Sequence, residues 1–260
     1  MSQSVGVVVP AYRPDPERLV PYVRDLVEAL DPTVVRVELD APQTETLSAL
    51  DDLPDVATVN AVDARRGKGS AITAGFEALD TDILAFADAD GSTPASSIAD
   101  VVAAVRDGSD LAVGSRRHPE ATVASHQTIA RRHLGDGFAW LARRLLDVPL
   151  YDYQCGAKAM SAAAWADVRA HLYEPGFAWD IELIAVSGAF GHRVAEVPVV
   201  WEDAPNSTVS PIETTFNMGR GLLRSRHRAR TIRKDRLHEL IAARRDQHAL
   251  IEEFAEATDD

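Results

Sequence analysis

The sequence predicts an α/β protein with a mainly parallel central sheet flanked by helices. Three observations predict it. Short runs rich in Val and Ala alternate with segments whose apolar residues recur at helical spacing. The junctions between them carry the Gly, Pro and Asp that stop strands and start helices. The chain has 260 residues and is 46% hydrophobic, enough to cover both faces of such a sheet within one large domain.

The elements follow in order. Val5–Tyr12 (VGVVVPAY) reads as a buried strand, and DPERLVPYVRDLVEAL then sets Leu19, Val23, Leu26, Val27 and Leu30 on one helical stripe. Val34–Asp40 is a second strand, Thr44–Leu50 a short helix and Val56–Asp63 a third strand. GSAITAGFEALD is a helix after a glycine turn, DILAFAD a strand, ASSIADVVAAVRDG a helix with a glycine stop, and DLAVGS a fifth strand. Beyond Arg116 the alternation gives way to long helices over Gln127–Leu146 and Ala162–Leu172, a helix from Trp179, and a strand in HRVAEVPVVW. The acidic ending EEFAEATDD reads as a frayed tail. No internal repeat or low-complexity linker interrupts the chain. The economical division is one domain over residues 1–219 and a basic helical extension with an acidic tail over 220–260.

Cys155 is the single cysteine, which excludes an intramolecular disulfide framework and a Cys-rich zinc site, and the eight histidines show no zinc spacing. The N-terminus lacks a basic n-region, and no apolar run approaches about 18 residues. A soluble or peripheral intracellular protein is expected. The net charge of -13 comes with Lys at only three positions against 24 Arg, and with 25 Asp against 15 Glu. That balance looks like the proteome of a salt-loving archaeon, where acidic surfaces stay hydrated and salt screens their repulsion. It also argues against a nucleic-acid partner, whose phosphates are bound by Lys and Arg. One stretch runs the other way. Between Arg220 and Arg245 ten residues are Arg or Lys, opposed in sequence only by Asp235 and Glu239. A solvated helix and a surface for anionic lipid headgroups both suit it.

Open parallel sheets bind ligands outside the carboxyl ends of their strands. Pro10–Tyr12, Asp40, Asp63–Gly69, Asp88–Ser92 and Gly114–Arg116 all fall there, so five distant segments converge on one crevice. In ILAFADADGSTP an apolar strand delivers Asp88 and Asp90 onto a turn. Two close carboxylates repel unless a cation neutralises them, and Mg²⁺ or Mn²⁺ takes such oxygen ligands while leaving positions for phosphates. Capping of the helix that starts near Ala95 is the alternative use. ARRGKGSAITAG sets Arg65, Arg66, Gly67, Lys68 and Gly69 before a helix, where backbone amides can approach an anion; a common turn is the alternative. Asp180, after Phe177 and Trp179, is a candidate base or sugar-hydroxyl acceptor, or an N-cap. Cys155 reads as a small buried residue rather than a nucleophile.

Taken together, VVVPAY, RGKGSAITAGF, FADADGSTP, VGSRR, DYQCGAKAM, WDIEL and VPVVWEDAPNSTV resemble, in order, the family 2 glycosyltransferases of GT-A fold. More narrowly they resemble the enzymes that move a hexose from a sugar nucleotide onto dolichyl or polyprenyl phosphate. The resemblance covers about Val5 to Leu223. It implies that Pro10, Ala11 and Tyr12 border the nucleobase, that Asp40 reads base or ribose, and that Arg66, Gly67 and Lys68 lie near the nucleotide. Asp88 and Asp90 would hold the metal and diphosphate. Arg116, Arg117 and Arg131 are candidates for the acceptor phosphate, Gln154 and Lys158 for the acceptor or sugar site, and Asp180 for the base. UDP-glucose is favoured over GDP-mannose as donor, and archaeal protein N-glycosylation as the destination. The protein would sit on the cytoplasmic face of the membrane, held through the basic stretch. In one departure, VELDAPQTET stands where such enzymes carry Val-Asp-Asp-Gly-Ser, so Ala41 replaces the second Asp. A glycosyltransferase with a soluble acceptor (phosphoglycerate or a glycan) and a non-catalytic sugar-nucleotide-binding homologue are the rival readings.

Overall fold

Strand β1 (Val5–Tyr12) alternates Val7 and Val9 on one side with Val8 on the other, and all three are fully buried, so both faces of the sheet are covered. The computed structural model describes residues 3–124, 129–202, 211–235, 238 and 248–252; for residues 45, 129–136 and 211–217 it describes the backbone alone. Elements are numbered in chain order. On one side of β1 lie β2 (Val34–Asp40) and then β3 (Ala57–Val62), both parallel to their neighbours. On the other lies β4 (Ile83–Ala87), also parallel. The sheet continues through β7 (Ala157–Ser161), β5 (Leu111–Ser115) and β8 (Val194–Pro198), giving seven strands in the order β3-β2-β1-β4-β7-β5-β8. β7 runs antiparallel to both neighbours, while β5 and β8 are parallel. β6 (Thr122–Ala124) and β9 (Val200–Glu202) form a separate parallel ribbon.

Each face has its own core. Leu19, Val23 and Leu26 of α1 (Pro16–Leu30) and Ile98, Val101 and Val102 of α4 (Ala95–Arg106) pack on Val7, Val9, Val37 and Leu39. Ile72 and Phe76 of α3 (Lys68–Glu77), Trp165 of α6 (Ala162–Val168) and Trp179 and Ile184 of α7 (Trp179–Phe190) pack on Val8, Phe86 and Met160. α1 starts where Asp15 accepts from the Glu17 amide, an N-cap followed by Pro at the first helical position. α2 (Thr44–Ala49) ends in a 3₁₀ turn, and α6 likewise passes into one over Arg169–His171. α5 (Ile129–Leu145) falls inside the expected helix.

Three elements differ from expectation. AKAMS forms β7, which the sequence conceals because Gly156 precedes it and a lysine, Lys158, is its second residue. HRVAEVPVVW divides into β8 and β9, which pair with different partners. The basic stretch belongs to α8 (Pro211–Ile232), which begins well before Arg220 and crosses the boundary placed at 219. It packs along α7, with Leu222 and Ala229 in the core. Its basic side chains meet acids from elsewhere in the chain. Arg228 pairs with Glu182 and with Glu174, Arg224 with Glu174, and Arg230 and Arg233 with Asp147. α8 is therefore a docked helix rather than a solvated one. The tail beyond Glu252 and the segment 203–210 lie outside the described residues. Among the described residues no helix is long and apolar enough to cross a membrane.

Candidate active site

The parallel strands β1, β2 and β4 end side by side. Their carboxyl ends bring Pro10, Ala11, Tyr12, Asp40 and Asp88 to one cleft of about 530 Å³. The turn Arg65–Lys68 and the segment Pro175–Phe177 close it from above, and Asp90 lines it too. The two upper walls are in backbone contact. Gly67 has φ 99°, and a Cβ there would lie 2.5 Å from the Pro175 carbonyl oxygen; the Ser70 amide donates to that same oxygen.

Asp40 holds the turn. Its Oδ2 accepts from the backbone amides of Arg66 and Gly67 at 2.8 and 3.1 Å, and its Oδ1 accepts from Arg66 Nε at 2.8 Å. Arg66 Nη2 reaches the fully buried Glu38 at 2.8 Å, which also accepts from Asn60 and Arg36. Arg66 and Asp40 are thus partners of each other, and their side chains frame the cleft. Arg65, from the same turn, lays its guanidinium 4.2 Å from the centre of the Tyr12 ring. A planar base has a flat, cationic–aromatic surface to meet there.

Asp88 and Asp90 are held by backbone. The Asp88 amide donates to Gly156 O at 3.0 Å, and a Cβ on Gly156 would lie 1.9 Å from Asp88 Oδ2. Only glycine at 156 leaves room for this carboxylate. Asp90 Oδ1 accepts from the Ser92 amide at 2.9 Å across Gly91, whose φ is 67°. Tyr22 Oη donates to the Thr93 carbonyl and ties the turn to α1. Burial, then the neighbouring Asp88, push the Asp90 carboxyl above its ordinary value. Neither aspartate caps α4: its N-cap is Pro94, with no side-chain bond. Among the described residues no group of three or more His, Cys, Asp or Glu could hold a metal ion. The two carboxylates fit a hard divalent cation that keeps most of its positions for other oxygens.

Asp180 lies in the first turn of α7, inside its Ala178 N-cap, and is buried. Lys158 Nζ is 2.5 Å from Oδ1 and Lys68 Nζ is 3.0 Å from Oδ2. Lys68 also reaches Asp88 Oδ1 at 2.9 Å, and Lys158 donates to the Cys155 carbonyl. Burial alone would raise the Asp180 pKa, but Lys158 and Lys68 outweigh it and hold the carboxyl below the usual range. Such a carboxylate is a poor base. Burial pushes the Cys155 thiol up to about 11, so it is inert.

On the far side of β7, Arg116 forms a two-pronged pair with the buried Asp152, at 2.7 and 3.1 Å. Against the cost of burial, Arg116 holds the Asp152 carboxyl far below its ordinary value. Gln154 donates its amide to Met218 Sδ of α8, and the Arg117 amide donates to Ser115 Oγ. Arg116, Arg117, Gln154, Lys158 and Asp180 do not line the cleft; Asp180 and, behind it, Lys158 connect to it through Lys68. Arg131 falls on α5 with its side chain outside the described residues. Asp152, the first residue of DYQCGAKAM, and Glu38 are buried partners of Arg116 and Arg66 that the sequence does not single out as site residues.

The model of the family described as "Glycosyl transferase family 2" matches residues 6–160. Glycosyltransferase AglD of Haloferax volcanii is 30% identical over 232 residues, 85% of this chain and 36% of that protein. The chain therefore spans about a third of that relative's length. The dolichyl-phosphate beta-glucosyltransferase of Mus musculus is 28% identical over 248 residues, 85% of this chain and 74% of that one. Among solved structures, glucosyl-3-phosphoglycerate synthase from Mycobacterium tuberculosis, in complex with Mn²⁺, UDP-glucose and phosphoglyceric acid, superposes with a TM-score of 0.62. The match covers 86% of this chain and 80% of that one at 17% identity, a likeness of fold.

Proposed function

The chain belongs to glycosyl transferase family 2 and has the GT-A fold, and from that premise we propose that it transfers a hexose from a sugar nucleotide to a polyprenyl-type lipid phosphate such as dolichyl phosphate. UDP-glucose is the favoured donor. The name of the Mus musculus relative, a dolichyl-phosphate beta-glucosyltransferase, supports the lipid phosphate and the glucose. The observation that carries it is the state of Asp180, shared by two lysines and held ionised. A hydroxyl acceptor needs a strong base; a phosphate monoester is already anionic and needs only to be positioned.

The residues divide the work as follows. Tyr12 and Arg65 present the surface for the base, framed by Asp40 and Arg66. Lys68, at the start of α3, faces the donor's diphosphate, and Asp88 and Asp90 would hold the divalent cation. When bound, that cation supplies Lewis-acid stabilisation of the charge that develops on the leaving diphosphate. Arg116 and Arg117, just past the end of β5, are the proposed reception for the acceptor phosphate, whose oxygen attacks the anomeric carbon from the opposite face and inverts it. The protein works at the cytoplasmic membrane surface as a peripheral enzyme, and its product feeds glycosylation of surface proteins.

The test is a donor panel. Labelled UDP-glucose, UDP-GlcNAc, UDP-glucuronate and GDP-mannose are each supplied with dolichyl phosphate and Mg²⁺ or Mn²⁺. UDP-glucose is expected to label the lipid fraction most strongly. A stronger signal from GDP-mannose would overturn the donor assignment.

A further inference from the structure

We infer that Lys68 is a built-in counter-ion of Asp88 that makes divalent-cation binding depend on the donor's diphosphate. The inference rests on the sugar-nucleotide reading and concerns the order in which that site fills. One ammonium group bridges two carboxylates: Lys68 Nζ is 2.9 Å from Asp88 Oδ1 and 3.0 Å from Asp180 Oδ2. The two carboxylates are not equally dependent on it. Asp180 keeps Lys158, 2.5 Å away on its other oxygen, when Lys68 turns elsewhere. Asp88 is the more exposed of the two, 39% against 2%, and opens on the cleft.

The position of Lys68 allows it to turn. It is the first residue of α3, directly after Gly67, and its ammonium lies 5.1 Å from the centre of the Phe86 ring. A flexible four-carbon stem can carry that ammonium from Asp88 to an anion in the same cleft. A divalent cation placed on Asp88 and Asp90 alone meets a positive charge already seated there, and like charges at such range oppose one another. A diphosphate reverses the balance, because it offers oxygen ligands to the cation and a new partner to the ammonium. Cation and nucleotide then raise each other's affinity by the same factor.

The test measures Mn²⁺ binding to the intact protein by the loss of the free-ion electron paramagnetic resonance signal. It is run with and without UDP, on the wild type, Lys68→Met, Lys68→Arg and Asp90→Ala. Without UDP, Lys68→Met is expected to bind Mn²⁺ roughly tenfold more tightly than the wild type, and the enhancement by UDP, of the order of 5- to 150-fold for coupled sites, should fall towards none. Lys68→Arg keeps the positive charge and should retain the wild-type pattern; Asp90→Ala should lose the site. Unchanged or weaker Mn²⁺ binding in Lys68→Met without UDP overturns the inference, and so does the absence of binding in every variant. Should Lys68→Met melt before the measurement, Lys68→Gln carries the same comparison. If Mn²⁺ binds more tightly to Lys68→Met but UDP binds to none of the proteins, the counter-ion role stands and the sugar-nucleotide reading fails.

Discussion

Lys68 and Lys158 share the buried carboxylate of Asp180, and this sharing separates what Asp180→Asn does to folding from what it does to turnover. Asparagine would leave two lysines with one counter-charge fewer, which costs about 3–5 kcal/mol when a buried pair is broken. Chemical denaturation should therefore rank Asp180→Asn below Asp90→Ala in stability. Turnover, measured where both are folded, should rank them in the reverse order. A larger loss of turnover in Asp180→Asn would make Asp180 a base and contradict the account. Gly156→Ala acts through Asp88, because the added methyl would sit 1.9 Å from its Oδ2. It should weaken Mn²⁺ and nucleotide binding together, and a wild-type titration would show that Asp88 does not need this seat. The place of Asp88 and Asp90 in the cleft was legible because a strand end followed by a turn leaves few structural uses for paired carboxylates. The Asp40–Arg66 lock was not, since it needs a strand end and a turn 26 residues apart to meet.

The pair α7 and α8 carries a second buried acid that no reaction step uses. Glu182 accepts from the amides of Tyr173 and Glu174 at 2.8 Å and pairs with Arg228, so it joins α7, α8 and the segment leading to the cleft wall at Pro175. Burial pushes its carboxyl up from 4.5 to about 7, although Arg228 and the two amides pull the other way. A raised carboxyl binds more protons folded than unfolded, so its contribution to stability falls as pH rises from 4.5 to about 7. Glu182→Gln should flatten stability against pH across that window, as read by urea midpoints. An unchanged slope would place the titration elsewhere. Strands β1 and β4 were legible because apolar runs of five to eight residues buried on both faces look like little else, and β2 because Val35, Val37 and Leu39 recur at the strand period. β7 was not, because its short run is interrupted by Lys158, the lysine that serves Asp180. The basic stretch misled for a related reason: its partners Glu174, Glu182 and Asp147 stand 46 to 86 residues away in sequence.

At the scale of the whole molecule, a chain of net charge -13 is proposed to meet an anionic membrane through a local basic surface. Truncation from Arg228 onward would test this poorly, because it also removes the partner of Glu182. Replacing Arg220 and Arg226 by Glu leaves that pair intact. It should lower co-sedimentation with anionic vesicles at low salt several-fold, at roughly 1 kcal/mol per basic residue, with little effect in molar salt. Unaltered sedimentation at low salt would remove α8 from the membrane contact. The acceptor separates the lipid-phosphate reading from a soluble one. The most direct measurement gives the protein labelled UDP-glucose with dolichyl phosphate and phosphoglycerate together, in molar salt with Mn²⁺, and partitions the product between butanol and water. Label in butanol, abolished by Asp90→Ala, is the predicted result; label confined to water in a folded, active protein would contradict it and assign a soluble acceptor.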